Sequence, residues 1–196
     1  ANDDLGDDVI SFSLGASATI SLDGALGTLV VEENLSLVGP ITGDLTIENT
    51  SGQAFRLFDV LDSTGELSVS RLTLQGGDAG AGDGGAIRTA DSTDLQLDNV
   101  DFLNNSAANG GAVFVVNGQL DIETSTMQGN QATANGGAIA VTSAPVTILD
   151  STMLGNTAGG SGGVISLADG QLEIRVSTLQ GNQATSDGGA IATGVC

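Results

Sequence analysis

The sequence contains no histidine, lysine, tryptophan or tyrosine, and its only basic residues are four arginines. Against these stand 24 acidic residues, so the formal net charge is −20. A field of this sign repels phosphates, which excludes nucleic acids as partners. It also disfavours anionic membrane surfaces, and no apolar run approaches the ~20 residues that a spanning helix needs. We therefore expect no nucleic-acid binding and no direct membrane insertion.

Cysteine is nearly absent as well, since the single copy is Cys196 at the last position. This excludes an internal disulfide and an internal cysteine-based metal cluster. Cys196 is either structurally incidental or pairs between molecules. The opening residues 1–12 have neither a charged n-region nor an apolar h-region. Any secretion signal has therefore been removed or lies outside this sequence.

What the chain does contain is apolar and glycine-rich. Its apolar content is 40%, its mean hydropathy is +0.19, and it has 30 glycines but only two prolines. This composition argues against disorder despite the charge. Alternating runs of Val, Ile, Leu and Thr predict many short strands joined by tight turns, without a convincing helix.

An internal repeat is the most informative feature. Five double glycines follow one another at a constant interval: Gly84-Gly85, Gly110-Gly111, Gly136-Gly137, Gly162-Gly163 and Gly188-Gly189. A second landmark travels with them, a large apolar residue three positions before an asparagine, in FLNN, MQGN, MLGN and LQGN. The repeating unit, about 26 residues long, is too small to form a domain alone, so we expect neighbouring units to complete one another's core.

Each unit offers three short strands. An LxI strand such as 120–122 is followed by an STM-type strand such as 125–127 and by the strand that the double glycine introduces. If each unit makes one turn of a coil, like strands stack ~4.8 Å apart in parallel, and the preference for right-handed crossovers selects one hand. The predicted fold is all-β: a right-handed parallel β-helix, or solenoid, with about 26 residues and three strands per coil.

Alternation predicts which side chains form the interior. In the strand after the double glycine, Ile139 and Val141 should face the core, and Ala138 and Ala140 should point outward. Val113 and Val115 would lie below them, with Ile165 and Leu167 above.

Two polar features should support the stack. The asparagines of the second landmark are expected to form a hydrogen-bonded ladder at one corner, made of Asn105, Asn130, Asn156 and Asn182. The double glycines should either adopt turn dihedrals closed to other residues or let the backbone pass close to a neighbouring coil.

The segment 1–71 lacks the double glycine but continues the alternation of apolar and polar residues. It is expected to form two to three less regular coils of the same stack. No proline- or serine-rich linker separates it from the rest. We therefore predict one β-helix domain over residues 1–196, with irregular coils in 1–71 and the regular repeats in 72–196.

The paired motifs resemble the repeats of the chlamydial-type polymorphic outer membrane proteins. The pairs are FLNNSAANGGAV, MQGNQATANGGAI, MLGNTAGGSGGVI and LQGNQATSDGGAI, within residues 72–196. The opening ANDDLGDDVISF resembles the segment after a CSLREAI-type leader in secreted bacterial β-helix proteins. The resemblance implies a secreted or surface-displayed right-handed β-helix, often adhesive, and brings no catalytic residues. Only Phe102 keeps the aromatic residue of the FxxN motif, and no membrane anchor is present in this sequence.

An enzyme is the main alternative, because parallel β-helices also serve as polysaccharide lyases and hydrolases. A sugar cleft needs aromatic platforms and a paired acid and base, yet the five phenylalanines look like core residues. The densest acids on the repeats are Asp94, Asp98 and Asp101, which we interpret as solvated outward positions. The threonines at 126, 152 and 178 form an outward column that breaks at Asp101, which argues against an ice-binding face.

A calcium-dependent binding module is the third class. The stretch GGDAGAGDGG offers Asp78 and Asp83 as oxygen ligands, and Asp3, Asp4, Asp7 and Asp8 cluster near the start. The glycine–aspartate stretch occurs once, whereas calcium-binding β-rolls repeat it. No other cofactor or metal is expected.

The function that these observations favour is a non-enzymatic, extracellular or cell-surface β-helix with a structural or adhesive role. No polar capping element is visible at either end, so we expect self-association through uncapped coil ends, by head-to-tail stacking into a fibre. A host or cell-surface glycan or protein is a further expected partner.

Overall fold

A computed structural model describes residues 8–25, 27–61 and 65–194. Within these ranges the chain forms 23 strands and no helix. The strands are β1 (Asp8–Ser11), β2 (Ala18–Leu22), β3 (Leu29–Val31), β4 (Leu35–Val38), β5 (Leu45–Asn49), β6 (Phe58–Val60), β7 (Glu66–Gln75), β8 (Ile87–Asp91), β9 (Asp94–Leu103), β10 (Ser106–Ala107), β11 (Val113–Val116), β12 (Leu120–Glu123), β13 (Thr126–Gln128), β14 (Gln131–Ala132), β15 (Ile139–Val141), β16 (Val146–Leu149), β17 (Thr152–Leu154), β18 (Thr157–Ala158), β19 (Ile165–Leu167), β20 (Leu172–Arg175), β21 (Thr178–Gln180), β22 (Gln183–Ala184) and β23 (Ile191–Thr193).

These strands form three parallel sheets that wind around one core. The first sheet runs β1-β4-β7-β9-β12-β16-β20, with β2, β5, β13, β17 and β21 beside this path. The second consists of the short strands β10-β14-β18-β22, and the third runs β3-β6-β8-β11-β15-β19-β23. Every strand pair is between successive coils, over about seven turns, and partners in the regular repeats are ~26 residues apart. In the earlier coils the spacing is larger, for example between Leu35 and Leu67. The predicted right-handed parallel β-helix is confirmed.

A left-handed residue marks the corner between the LxI strand and the STM-type strand in five successive coils. The residues are Arg71, Asn99, Thr124, Asp150 and Val176, with φ between 48° and 55°. In the earlier coils, β7 and β9 remain continuous through this corner. The backbone conformation is therefore retained while the identity of the residue changes.

The second sheet was not predicted. Its strands are very short and follow the ladder asparagine, as in Gln131–Ala132, which pairs with Ser106–Ala107 below and Thr157–Ala158 above. A regular coil thus contains the three expected strands and a fourth, short one. A strand of this length cannot show an alternation, so no periodic signal marks this element in the sequence.

The interior consists of aliphatic columns in register. Ile139 pairs with Val113 below and Ile165 above, and Val141 pairs with Val115 and Leu167, as predicted. The expected outward direction of Ala138 is wrong, because this residue is fully buried and belongs to the core cluster. Ala140 lies between these inward positions, so alternation directs it outward as expected, yet it is only 5% exposed.

The proposed boundary after residue 71 lies within a single element. Strand β7 covers it and pairs with β4 and β5 on one side and β9 on the other. The irregular coils and the regular repeats therefore share one sheet. In the described part of the chain, no helix has the length and hydropathy required to cross a bilayer.

Candidate functional site

The predicted asparagines lie above one another at a buried corner. Each Nδ2 donates to the Oδ1 of the asparagine in the next coil at 3.0 Å, from Asn105 to Asn130, from Asn130 to Asn156 and from Asn156 to Asn182. Each Nδ2 also donates to a backbone carbonyl of the preceding coil, at 2.9 to 3.1 Å. Asn105, Asn130 and Asn156 are completely buried. Their hydrogen-bonding groups are used within the stack, so they serve structure and are not offered to a ligand.

A second polar column precedes the double glycines. Asn109 donates through Nδ2 to Asp83 Oδ1 at 2.9 Å, and its own Oδ1 accepts the backbone N–H of Asn135 at 3.1 Å. The Oδ1 of Asn135 in turn accepts the backbone N–H of Ser161 at 2.9 Å. Unlike the first ladder, this column is only partly buried at Asn109 and Asn135.

A serine column lies at the left-handed corner. The hydroxyl of Ser151 accepts the backbone N–H of Ser125 at 3.1 Å and donates to the carbonyl of Leu149 at 2.7 Å. Ser125 and Ser177 repeat this arrangement. From the sequence these serines could be placed only at the start of the STM-type strand. Their hydrogen bonds could not be predicted, because each repeat contributes a single serine to the column.

The two glycines of each pair do different things. The first has a positive φ in all five copies, for example 67° at Gly136. The second allows close approach, because a Cβ at Gly137 would lie 2.2 Å from the carbonyl oxygen of Gly163 in the next coil. Both alternatives considered for the pair therefore occur together, one at each position.

The aspartates suggested for calcium are engaged with the protein. Asp78 Oδ1 accepts a hydrogen bond from the N–H of Gly80 at 2.8 Å. Asp83 Oδ1 accepts hydrogen bonds from both the backbone N–H and the Nδ2 of Asn109. Asp3, Asp4 and Asp7 lie outside the described residues. Over 8–25, 27–61 and 65–194, no three acidic or cysteine side chains converge as a metal cluster would require.

The acids suggested for catalysis are spread along β9. Asp94 and Asp98 are both exposed and lie four residues apart in one strand, a separation of ~13 Å. Asp101 is also exposed and follows the left-handed Asn99, so it lies on the next face. Asp98 stands beside Glu123 of the next coil. These positions form an acidic surface, with no basic partner among the contacts described.

The outward threonine column is longer than expected. Beyond Asp101 it continues through Thr73 and Thr46 to Thr19. On the other side it contains the predicted threonines 126, 152 and 178. The earlier members were missed because the coils there differ in length from the regular repeat. The neighbouring outward column is mixed, with Glu48, Gln75 and Leu103 among its members.

A shallow groove lies on the outer face of the third sheet. It has a volume of about 210 Å³ and is lined by Asn109, Phe114, Asn135, Ala140, Val141, Thr142, Ser166 and Ala168. Phe114 is half-buried and stands between the inward Val113 and Val115, both completely buried. The expectation that all five phenylalanines are core residues is therefore wrong for Phe114, which strand alternation directs outward. It is also wrong for Phe55, which is half-buried and does not belong to the core cluster.

The two arginines near this face, Arg56 and Arg88, form ion pairs and hydrogen bonds within the protein. The Nε of Arg88 donates to Asp59 Oδ1 at 2.8 Å, and Nη1 of Arg56 lies 3.1 Å from the other oxygen of Asp59. Arg56 also donates through Nε to the carbonyl of Asp83 at 3.2 Å. These contacts link two successive coils at the third sheet.

Three stretches of the chain match the model of the Chlamydia polymorphic membrane protein repeat: residues 99–116, 124–142 and 176–194. Each stretch begins at the left-handed corner, at Asn99, Thr124 or Val176, and contains one ladder asparagine and one double glycine. A comparison with curated proteins and another with solved structures gave no significant match. The resemblance based on the paired motifs is confirmed: three of the regular coils match the repeat of the Chlamydia polymorphic membrane proteins.

Proposed function

We propose that the chain is a non-enzymatic β-helix displayed at a bacterial cell surface, where it has a structural or adhesive role. The observation that carries the proposal is the match of three coils to a repeat named for membrane proteins of Chlamydia. Adhesion also fits the contrast between the inward and the outward positions of each coil. Inward positions repeat, whereas the outward column of the third sheet changes from Asp59 to Arg88, Phe114, Ala140 and Ser166.

This division favours recognition over catalysis. Stacking uses the inward aliphatics, the ladder asparagines and the glycines, so the outer residues can vary without loss of the fold. A variable outer surface on a constant interior is typical of solenoids that bind partners along one face.

Surface display is tested on intact bacteria that carry the gene. Antibodies against residues 99–194 should label unpermeabilised cells, and an external protease should remove the label. Labelling that requires permeabilisation would overturn the location.

Adhesion is tested with beads coated with the purified chain. Such beads should attach to epithelial cells, and the soluble chain should compete with them. Beads coated with an unrelated folded protein of similar net charge are the control for charge alone. Attachment equal to that of the control beads would exclude the adhesive role and leave the structural one.

Self-association through the coil ends is a second candidate function. In the first described coil the inward residues Ile10, Leu29 and Ile20 are 48%, 39% and 37% exposed, although their register neighbours one coil above are buried. In the last coil Leu172, Ile174 and Leu179 are only partly buried, although their counterparts one coil below are buried. Strands β20 to β23 each have a neighbour on one side only. A second copy could cover these groups by continuing the stack, a heterologous contact that extends without closing.

Light scattering and electron microscopy test this association. At high protein concentration we expect larger species and filaments, and added salt should promote them by screening the charge of −20. A strictly monomeric sample without filaments, with or without added salt, would exclude it.

Two further classes are separated by simple assays. Cleavage of acidic or neutral glycans that vanishes in the Asp98→Ala and Asp101→Ala variants would indicate a carbohydrate-active enzyme. A melting temperature that falls on addition of a chelator would indicate the calcium-dependent binding module. The proposed structural or adhesive β-helix requires neither result.

A further inference from the structure

We propose that the groove around Phe114, defined by the eight lining residues given above, binds one unit of a neutral saccharide. This inference rests on the proposed adhesive function and names the ligand class of one outer face.

The aromatic ring supplies the first element of such a site. Phe114 follows Arg88 in the outward column, and the next two coils place Ala140 and Ser166 above it. Both upper residues are small and only 5% exposed. The ring therefore stands at one end of a floor with no large side chains. An apolar C–H face of a pyranose can pack against an aromatic ring, whose face is electron-rich.

The amides of Asn109 and Asn135 supply the second element. Each amide has two N–H donors. Asn109 uses its Nδ2 once, towards Asp83 at 2.9 Å, and Asn135 Nδ2 makes one long contact of 3.5 Å with Asn109 Oδ1. At least one N–H of each side chain therefore remains for a ligand hydroxyl. The Oδ1 atoms are held by backbone N–H groups, which fix the orientation of both amides.

Charge selects a neutral ligand. The groove has no ionisable lining residue, although the chain carries 24 acidic residues. Three other grooves in the described part of the chain do include acids, among them Asp44, Glu32 and Glu66. Arg88, the register neighbour of Phe114, is paired with Asp59. No free cation faces the groove from this column, and the overall field repels an anionic glycan.

The size of the groove fits a single sugar unit. Its volume of about 210 Å³ is below the ~300–1,000 Å³ of pockets that enclose a drug-sized molecule. Such a site holds one unit of a longer chain and binds weakly. A surface protein present in many copies compensates for weak sites by avidity.

The test uses nuclear magnetic resonance of the full chain with maltotriose, cellotriose, triacetylchitotriose and N-acetyllactosamine as probes. A sulfated chondroitin disaccharide is the charged comparison. At least one neutral probe should shift the Phe114 ring signals and the side-chain amide signals of Asn109 and Asn135 in a saturable way. The sulfated probe should leave them unchanged.

Variants separate the ring from general apolar area. Phe114→Leu keeps an apolar side chain but removes the aromatic face, and should weaken binding about tenfold or more. Phe114→Tyr should retain it. Asn135→Asp keeps the acceptor for the Ser161 N–H but loses the donors, and should also weaken binding. Leu154→Ala, which shortens a half-buried outward residue of the first sheet, is the matched control and should change nothing.

Two outcomes would overturn the inference. One is the absence of any shift at Phe114 with every neutral probe at millimolar concentration. The other is equal binding by the parent chain and the Phe114→Leu variant. Bead adhesion is measured separately: adhesion without saccharide binding refutes this site alone, and saccharide binding without adhesion refutes the adhesive role alone.

Discussion

Asn130 donates twice to the side-chain oxygen of Asn156, through its backbone N–H and through Nδ2, both at 3.0 Å. One oxygen thus joins two coils at a completely buried corner. The same pair of bonds recurs between Asn105 and Asn130 and between Asn156 and Asn182. Because the side chain of each asparagine serves the coil below it, removal of one residue affects its neighbour as well.

The first prediction concerns this ladder. Asn130→Ala should lower the free energy of unfolding by about 3 kcal/mol or more, because it removes the buried acceptor of both the backbone N–H and the Nδ2 of Asn105. Urea unfolding followed by circular dichroism measures this change. Gln128→Ala, at an exposed position two residues earlier, is the control and should shift stability by less than about 0.5 kcal/mol. Similar values for the two variants would contradict the ladder's role.

The second prediction separates close approach from dihedral strain. A Cβ at Gly137 would meet the carbonyl oxygen of Gly163 at 2.2 Å, whereas a Cβ at Gly189 has nothing within 4 Å. Neither residue has a positive φ. Gly137→Ala should therefore destabilise the chain by about 3 kcal/mol or more through overpacking against backbone. Gly189→Ala, at the same position of the repeat, should be close to neutral.

Thermal unfolding of both alanine variants checks the contrast. Equal losses would mean that the second glycine is required by the conformation of its own turn. A loss confined to the Gly137 variant would show that the stacked coil imposes the requirement.

Much of the fold follows from the repeat, because stacking converts sequence period into spatial register. The columns of Ile139 and Val141 and the ladder of Asn130 could be predicted, since each position is occupied by similar side chains at a constant interval. The threonine column was predicted only from 126 onward. Asp101 is separated from its partners Thr73 and Thr126 by different numbers of residues. A prediction that assumes a constant repeat length therefore misplaces the residues before Asp101.

Other features could not be predicted from the residue types. The left-handed corner is occupied by Arg71, Asn99, Thr124, Asp150 and Val176, because stacking fixes the backbone angle and not the side chain. The side chain is exposed in the last four of these residues and half-buried at Arg71. The groove was missed for a different reason. Phe114 was grouped with the core by residue type, although its alternation with Val113 and Val115 directs it outward.

The third prediction concerns an unpaired hydroxyl in the core. Thr89 is 1% exposed, its Oγ1 has no hydrogen-bond partner, and Val60 occupies the same column one coil below. Thr89→Val should raise the free energy of unfolding by about 1–2 kcal/mol, because it removes a desolvated polar group at nearly constant volume.

Ser151→Ala is the opposite case for a buried hydroxyl. Ser151 Oγ accepts one bond and donates another within the serine column. Removal of this hydroxyl should lower the free energy of unfolding by about 1–3 kcal/mol. Chemical denaturation of both variants measures whether the free energy of unfolding rises or falls. Destabilisation by Thr89→Val would show that the hydroxyl of Thr89 has a hydrogen-bond partner in solution.

The fourth prediction concerns the left-handed corner. Val176 has φ 51° and is 82% exposed, so a β-branched side chain adopts a strained conformation without a packing benefit. Val176→Asn should stabilise the chain by about 1 kcal/mol, since asparagine tolerates this region. The reciprocal change, Asn99→Val at φ 54°, should destabilise it by a similar amount. Denaturation midpoints at constant slope test both changes. Shifts of the same sign would show that side-chain contacts, and not the dihedral angle, govern stability at this corner.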